Sequence, residues 1–536
     1  MAGDDLSLRE EGTVHRFRTG LTALSVLSLL VAGCTSNTGT SATISGGTLT
    51  WGKQAEALEI DPQVGGNGVS WGIEDLVYET LVGVGDDLSL QPRLATSWEQ
   101  PSPTSYVFHL RQGVKFSNGR VMTADDVVAS FKRLIDPKLA SYWTQQVGPI
   151  TDVVTVDAKT VRFELSSPFT PFLAAVAHVG AAILPMKELT AGTFDPSKQL
   201  MGTGPFMEVS HNQGESWTFA RNPNYWRSGY PKVDKLIVKI IPDDSARLAA
   251  LRDGSVDVAT FENVDASKLL ASVPNVKSVV QDSTDFNVIH VNALGPTSPF
   301  RDVRVRDAFS MAIDRSQVRA IALGGIGQVQ GVVSPSFKVP GCSPSALPNF
   351  SHDLTKAKQL LADAGKTGMS FELLLTTAFA TAPGEAQVIQ QNLKDIGVNV
   401  KITQLEIGAW ETRTFVKNPP EMDASISWFA GYADPGMVIA WWNPDYALFD
   451  KGYMQKDPQL IDLINQARTT PAGSARNDIL GQVCKLIDQD ANIIPLASRP
   501  DIVGYRSDHI SARIQPVEGY GDVLRHIQEF AKVSGS

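Results

Sequence analysis

The stretch Gly68-Val69-Ser70-Trp71-Gly72 fits G-x-S-x-G, the pattern that lifts a nucleophilic serine onto a strand-to-helix elbow for acyl transfer. Such an elbow needs an apolar strand before it, and Gln63 to Asn67 is a Gly-rich turn instead. Ser70 and Trp71 therefore read as a loop that touches ligand, and catalysis is not expected. The eight His residues are scattered without metal-ligand spacing, and no His-Glu-x-x-His occurs. Gly324, Gly325, Gly327 and Gly331 do not make G-x-G-x-x-G, and there is no Walker lysine pattern, so no nucleotide cradle is expected. Neither a metal nor a cofactor is called for.

The chain start carries its own chemistry. Leu21 to Ala32 is apolar or small and uncharged, with His15, Arg16 and Arg18 before it, as in a secretory signal. It is too short for a membrane span, which needs ~20 residues. Leu30-Val31-Ala32-Gly33-Cys34 resembles a bacterial lipobox, which implies a diacylglycerol thioether on Cys34, removal of residues 1–34 and a lipid anchor in the membrane. The Ser/Thr/Gly-rich residues 35–45 read as a tether. Cys342 and Cys484 remain; outside the cytoplasm they form either a disulfide, which is expected, or two buried thiols. The net charge of −10, with no basic stripe, argues against a nucleic-acid partner.

The 536 residues are too many for one ordinary core, and the 43% apolar content is ample for several. Strands are predicted at Thr48–Trp51, Ser105–Arg111, Lys159–Leu165, Ser216–Arg221, Lys235–Ile241, Val256–Ala259, Ser370–Thr376 and Asn399–Leu405. Helices are predicted at Ile73–Leu81, Thr123–Leu134 (with Asp125 and Asp126 in its first turn), Ser245–Leu251, Arg304–Leu323, Leu354–Ala364, Ala386–Ile396 and Pro458–Arg468. Arg306 and Asp314, placed on one helix, are expected to make local ion pairs. Helices interleaved with strands mean an α/β architecture.

Several segments, in order, resemble family 5 of the extracellular solute-binding proteins, the peptide/opine/nickel group that serves ATP-driven (ABC) importers. They include Pro92-Arg93-Leu94-Ala95-Thr96-Ser97-Trp98, Gly113 to Gly119, Thr123-Ala124-Asp125-Asp126-Val127, Gly202-Thr203-Gly204-Pro205-Phe206, Arg221 to Trp226, Val303 to Asp314, and Ala357 to Gly365. The resemblance implies a two-lobed, periplasmic-binding-protein-like α/β fold with a hinge. Residues 46–80, 200–285 and 500–536 would form the first lobe, 81–199 an extra sub-domain within it, and 286–499 the second lobe. It also implies a monomeric receptor at the extracytoplasmic face of the cell envelope, working with ABC permease and ATPase subunits.

In the family, the segment around Ser427 to Pro435 lines the cleft, and peptide-binding relatives carry an Asp three residues after the Trp to pair with the peptide ammonium. Here that position is Gly431. Either another acid (Glu56, Glu59 or Asp434) replaces it, or the ligand is not a free-amine peptide. The expected ligand-binding residues are Glu56, Ser70, Trp71, Asn292, Trp410, Trp428, Gly431, Tyr432 and Asp434, with Trp51, Trp441 and Trp442 on nearby stretches. Trp faces can stack on peptide side chains, sugars or cations. Peptides are the expected ligand, with a short oligosaccharide or other neutral solute, or a sensor role without transport, as alternatives. The acidic Met1 to Gly12 is out of place before a signal core, so translation is expected to start at Val14; mapping the N-terminus of the unprocessed precursor tests this, and a start at Met1 would overturn it.

Overall fold

The computed structural model describes residues 43–66, 68–519, 521 and 523–534. The signal run, Cys34 and most of the tether lie outside the described residues. Among those described, no helix is long and apolar enough to cross a membrane. Thr43–Ile44, at the end of the expected tether, forms a short strand against Lys532 and Val533.

Two large sheets organise the protein. The first has eight strands in the order Val517–Glu518, Val276–Ser283, Asp501–Arg506, Val258–Phe261, Thr48–Lys53, Lys235–Ile240, Ser216–Arg221 and Phe206–Asn212. Its middle is parallel: Thr48–Lys53 pairs in parallel with both Lys235–Ile240 and Val258–Phe261. The second has five strands in the order Asn399–Leu405, Ser370–Thr376, Ala424–Phe429, Phe286–Val291 and Ile493–Ser498. Ser370–Thr376 runs parallel to both of its neighbours. Parallel strands need cover on both faces, and Val258–Phe261 is buried at every position, as are the antiparallel Phe286–Val291 and Ile493–Ser498 of the second sheet. The first sheet draws its strands from residues 48–283 and 501–518, the second from 286–498, so the chain passes between them twice.

A four-stranded antiparallel sheet, Ala95–Ser102, Ser105–Leu110, Thr160–Leu165 and Ile150–Asp157, packs on the helix Ala124–Leu134. Thr123 caps that helix: the Asp126 carboxylate accepts its N–H at 2.9 Å and its hydroxyl at 3.0 Å. Arg120 closes on the same carboxylate with two 2.8 Å bonds. The segment that carries the family resemblance is thus a scaffold clasp.

Local patterns misled at several points. The helix expected at Ile73–Leu81 lies earlier, at Gly68–Glu74. Leu76, Val77, Tyr78 and Leu81 are buried all round rather than on one face, so their spacing mimicked a helical stripe. Gly202 and Gly204 close on this segment. The Gly204 N–H donates to the Val77 carbonyl at 2.8 Å, and a Cβ on Gly202 would stand 2.1 Å from the same oxygen. The helix expected over Arg304–Leu323 breaks at Ile313. Asp314 turns the chain there by capping the next turn through the N–H groups of Ser316 and Gln317. Arg306 does not pair with it; burial forces its guanidinium onto the carbonyls of Asp490 and Phe300 at 2.6 and 2.9 Å. The strand expected at Val256–Ala259 is Val258–Phe261. The longest helix, Ser474–Asp490, escaped the reading because Gly473 at its start offers no capping side chain.

Cys342 and Cys484 form a disulfide, Cα–Cα 5.2 Å, between the turn Pro340–Cys342 and the helix Ser474–Asp490. The two backbones can approach this closely because Gly341 faces Gly481; a Cβ on Gly341 would lie 2.6 Å from the Gly481 Cα. The bridge closes a separation of 142 residues. Reduction, or Cys342→Ser, is expected to cost about 2–4 kcal/mol, read as a lower urea midpoint. Gly202→Ala is expected to destabilise the fold by about 3 kcal/mol, because its methyl must displace backbone rather than a flexible side chain; an unchanged midpoint would contradict the packing described.

Candidate functional site

The two sheets meet where strands run straight from one into the other. Val276–Ser283 continues through Thr284 and Asp285 into Phe286–Val291, and Ile493–Ser498 continues through Arg499 and Pro500 into Asp501–Arg506. The two passages are neighbours: Gln281 pairs with Asp501, Phe286 with Ser498, and between them the Arg499 N–H donates to the Asp285 carbonyl at 2.8 Å.

Beside this ribbon lies a cavity of ≈ 1320 Å³. Its walls follow from the sheets. Ligands of open α/β sheets lie outside the carboxyl ends of parallel strands, and both sheets present such ends here. On the first side Lys53 ends its strand, and Glu262 follows Val258–Phe261. On the second, Phe379 and Thr381 follow Ser370–Thr376, and Trp410 follows Asn399–Leu405. Asp285, Arg499 and Asp501 bring the ribbon itself into the wall.

The wall mixes aromatic faces with charge. Trp410 sits edge-on to Phe379 and Phe415, each 5.3 Å away, and its indole N–H donates to Ser425 Oγ at 2.8 Å. Trp71 packs edge-on to His178 at 4.5 Å. The indole N–H groups of Trp51 and Trp71 are buried and have no hydrogen-bond partner among the described residues. Lys53 Nζ donates to the carbonyls of Ala55 and Val69 at 2.8 and 2.6 Å. Burial pulls its pKa down to about 8, opposed by the fields of Glu56 and Glu262. Behind the wall, burial pushes the Glu385 carboxyl up to about 7; Asn287, which bonds it, also donates to Thr381 Oγ1 at 3.2 Å.

Of the expected site residues, Glu56, Trp71, Trp410 and Trp428 line this cavity, as does Trp51. Glu56 is not free to take a ligand cation. Its carboxylate accepts the Trp217 indole N–H at 2.7 Å and the backbone N–H groups of Gly214 and Ala57 at 2.8 Å, and it faces His211 at 3.2 Å. Burial raises its pKa, but these bonds, Gly214 first, hold the carboxyl below its usual value.

The other expected residues lie outside the wall. The Ser70 hydroxyl is buried and accepts the N–H groups of Leu58 and Glu59 at 3.1 and 3.3 Å. Asn292 shapes a turn: its side chain donates to Met422 O at 3.0 Å and accepts the Gly295 N–H at 2.7 Å. Tyr432 is fully buried, stacked 6.1 Å from Trp441. Trp441 and Trp442 are core, donating to the carbonyls of Ala430 and Ile493. Asp434 is held by Arg476 at 2.6 and 2.8 Å and caps the turn at Gly436. Gly431 packs on the ribbon: its N–H donates to Asp285 Oδ1 at 2.6 Å, and a Cβ there would lie 2.2 Å from the Thr284 backbone. Sequence reasoning missed Lys53, Glu262, Asp285 and Arg499. The signal for Lys53 was its position at the end of a strand, and for Glu262 its position just past one. For Arg499 it was a lone base between two apolar runs.

The profile of the bacterial extracellular solute-binding proteins, family 5 Middle, matches residues 89–448. The glutathione-binding protein GsiB of Shigella dysenteriae serotype 1 (strain Sd197) is 25% identical over 519 residues, which is 95% of this chain and 98% of the relative. Two solved structures, each 25% identical, superpose closely. AgaA from A. tumefaciens R10, in complex with agropinic acid, gives a TM-score of 0.78 over 91% of this chain and 99% of its own. DppA from Helicobacter pylori, in complex with the peptide STSA, gives 0.77 over 92% and 99%. The two-lobed α/β architecture, the interlobe cavity and the profile match together place this chain among the family 5 extracellular solute-binding proteins of ABC importers.

Proposed function

We propose that this protein captures short peptides in the cleft between its two lobes, outside the cytoplasm, and delivers them to an ABC permease and its ATPase. The observation that carries the reading is the cavity itself. At ≈ 1320 Å³ it exceeds the ~300–1,000 Å³ of an ordinary small-molecule pocket, so it has room for several residues of extended peptide with water. Its wall offers both signs of charge, Glu262 and Asp285 facing Lys53 and Arg499, between the aromatic faces of Trp71, Trp410 and Trp428. A zwitterion with variable side chains suits a wall that carries both signs of charge. Relatives that bind glutathione or a tetrapeptide support the same class.

In this reading the sheet built on 286–498 is the core of the second lobe, and closure about the ribbon encloses the ligand. A peptide ammonium would face Glu262 or Asp285 in place of the acid missing at 431. A lipid on Cys34 would hold the receptor at the membrane. The test is mass spectrometry of small molecules released on denaturing the purified protein. Co-purified peptides are the expected result; a sugar or other neutral solute would overturn the peptide assignment.

A further inference from the structure

Arg499 differs from the four buried arginines. Arg247, Arg306, Arg315 and Arg476 each spend their guanidinium N–H groups on backbone carbonyls or a carboxylate. The Arg499 side chain makes no hydrogen bond among the described residues, although only 22% of it is exposed. Its guanidinium lies over the face of Trp428, 4.5 Å from the ring centroid. Its one ion pair among the described residues is long, 3.9 Å to Glu262 Oε1, and that oxygen already accepts the Gln54 amide at 2.8 Å. Asp285, alongside in the wall, is taken up by the Gly431 N–H.

The position of Arg499 is fixed from behind. Its own N–H is committed to the Asp285 carbonyl at 2.8 Å, and the next residue is Pro500. The result is a guanidinium held in place by a ring face, in the wall of the cavity, with its donors unspent among the described residues. A partly desolvated cation with unmet donors is costly, and its planar fork matches a carboxylate bidentately. We propose that Arg499 is the anion anchor of the cleft, selecting ligands that present a carboxylate and binding that group on the Trp428 face in preference to Glu262. This rests on the peptide reading above, and for a peptide the anchored group is the terminal carboxylate.

The test uses a tripeptide library with free carboxyl termini and the same library amidated, with binding to the purified protein measured by calorimetry. The wild type should bind the free acids about 10- to 100-fold more tightly than the amides, the worth of one or two charge-assisted hydrogen bonds. Arg499→Gln should weaken acid binding far more than amide binding, so that the acid-to-amide ratio falls to about one. A merely structural role would weaken both libraries together. Arg499→Lys, which keeps the charge but loses the fork, should restore part of the preference. Acids and amides that bind the wild type alike, or an acid preference that survives in Arg499→Gln, would overturn the anchor and leave the peptide reading standing. Failure of both libraries to bind the wild type would overturn both.

Discussion

The protein depends on a two-stranded ribbon only a few residues long. Thr284-Asp285 and Arg499-Pro500 are the places where the chain passes from one large sheet to the other, and they lie side by side, joined by the Arg499 N–H and the Asp285 carbonyl. Strands on either side keep their pairing up to the junction, with Gln281 opposite Asp501 and Phe286 opposite Ser498. Each sheet is therefore tied to the ribbon through its backbone ladder, with a register shift between Phe286 and Val288. Pro500 cannot donate a ladder bond, so pairing is weakest at the point where two lobes would need to turn. A few element-terminal residues that absorb rotation are what a hinge requires.

The same ribbon decides where ligand chemistry can sit. It brings Asp285, Arg499 and Asp501 to the cavity as a consequence of strand register. The parallel strands of the two sheets direct their carboxyl ends to the same space, so Lys53 and Glu262 face Phe379, Thr381 and Trp410 across it. A site built from strand ends and a ribbon has positions fixed by main-chain hydrogen bonds, whereas a site built from long loops would have to order them on binding.

Much of this was legible in the sequence, and the failures share a cause. Strands with clean alternation, such as Ser216–Arg221 and Ser370–Thr376, stand where the pattern put them. Errors arose where residues are buried on every side. Leu76 to Leu81 carries a helical spacing but is a turn followed by irregular chain pressed against Gly202 and Gly204, and Ser474–Asp490 begins without a cap. Trp71, Trp410 and Trp428, singled out because large aromatics are few and the family resemblance placed Trp428, line the cavity. Asn292 and Asp434 misled because short polar side chains near a cleft more often serve their own turns, and both do so here. Arg499 and Asp285 were invisible because their meaning comes from the pairing of two strands more than two hundred residues apart in the chain.

Gly431 shows how fold and specificity constrain each other. Read as sequence, it is a missing carboxylate. In the fold it is a close approach: the segment after Trp428 lies so near the ribbon that a Cβ at 431 would collide with the Thr284 backbone, and the Gly431 N–H binds Asp285. An acid at 431 would push this segment off the ribbon and remove the donor that steadies Asp285. The loss of a carboxylate at one position and the presence of Asp285 in the cavity wall are therefore a single arrangement. A change of residue at this end of the cleft has to be accommodated by the ribbon, which also joins the two sheets, so in the proposed function recognition and closure draw on the same few residues.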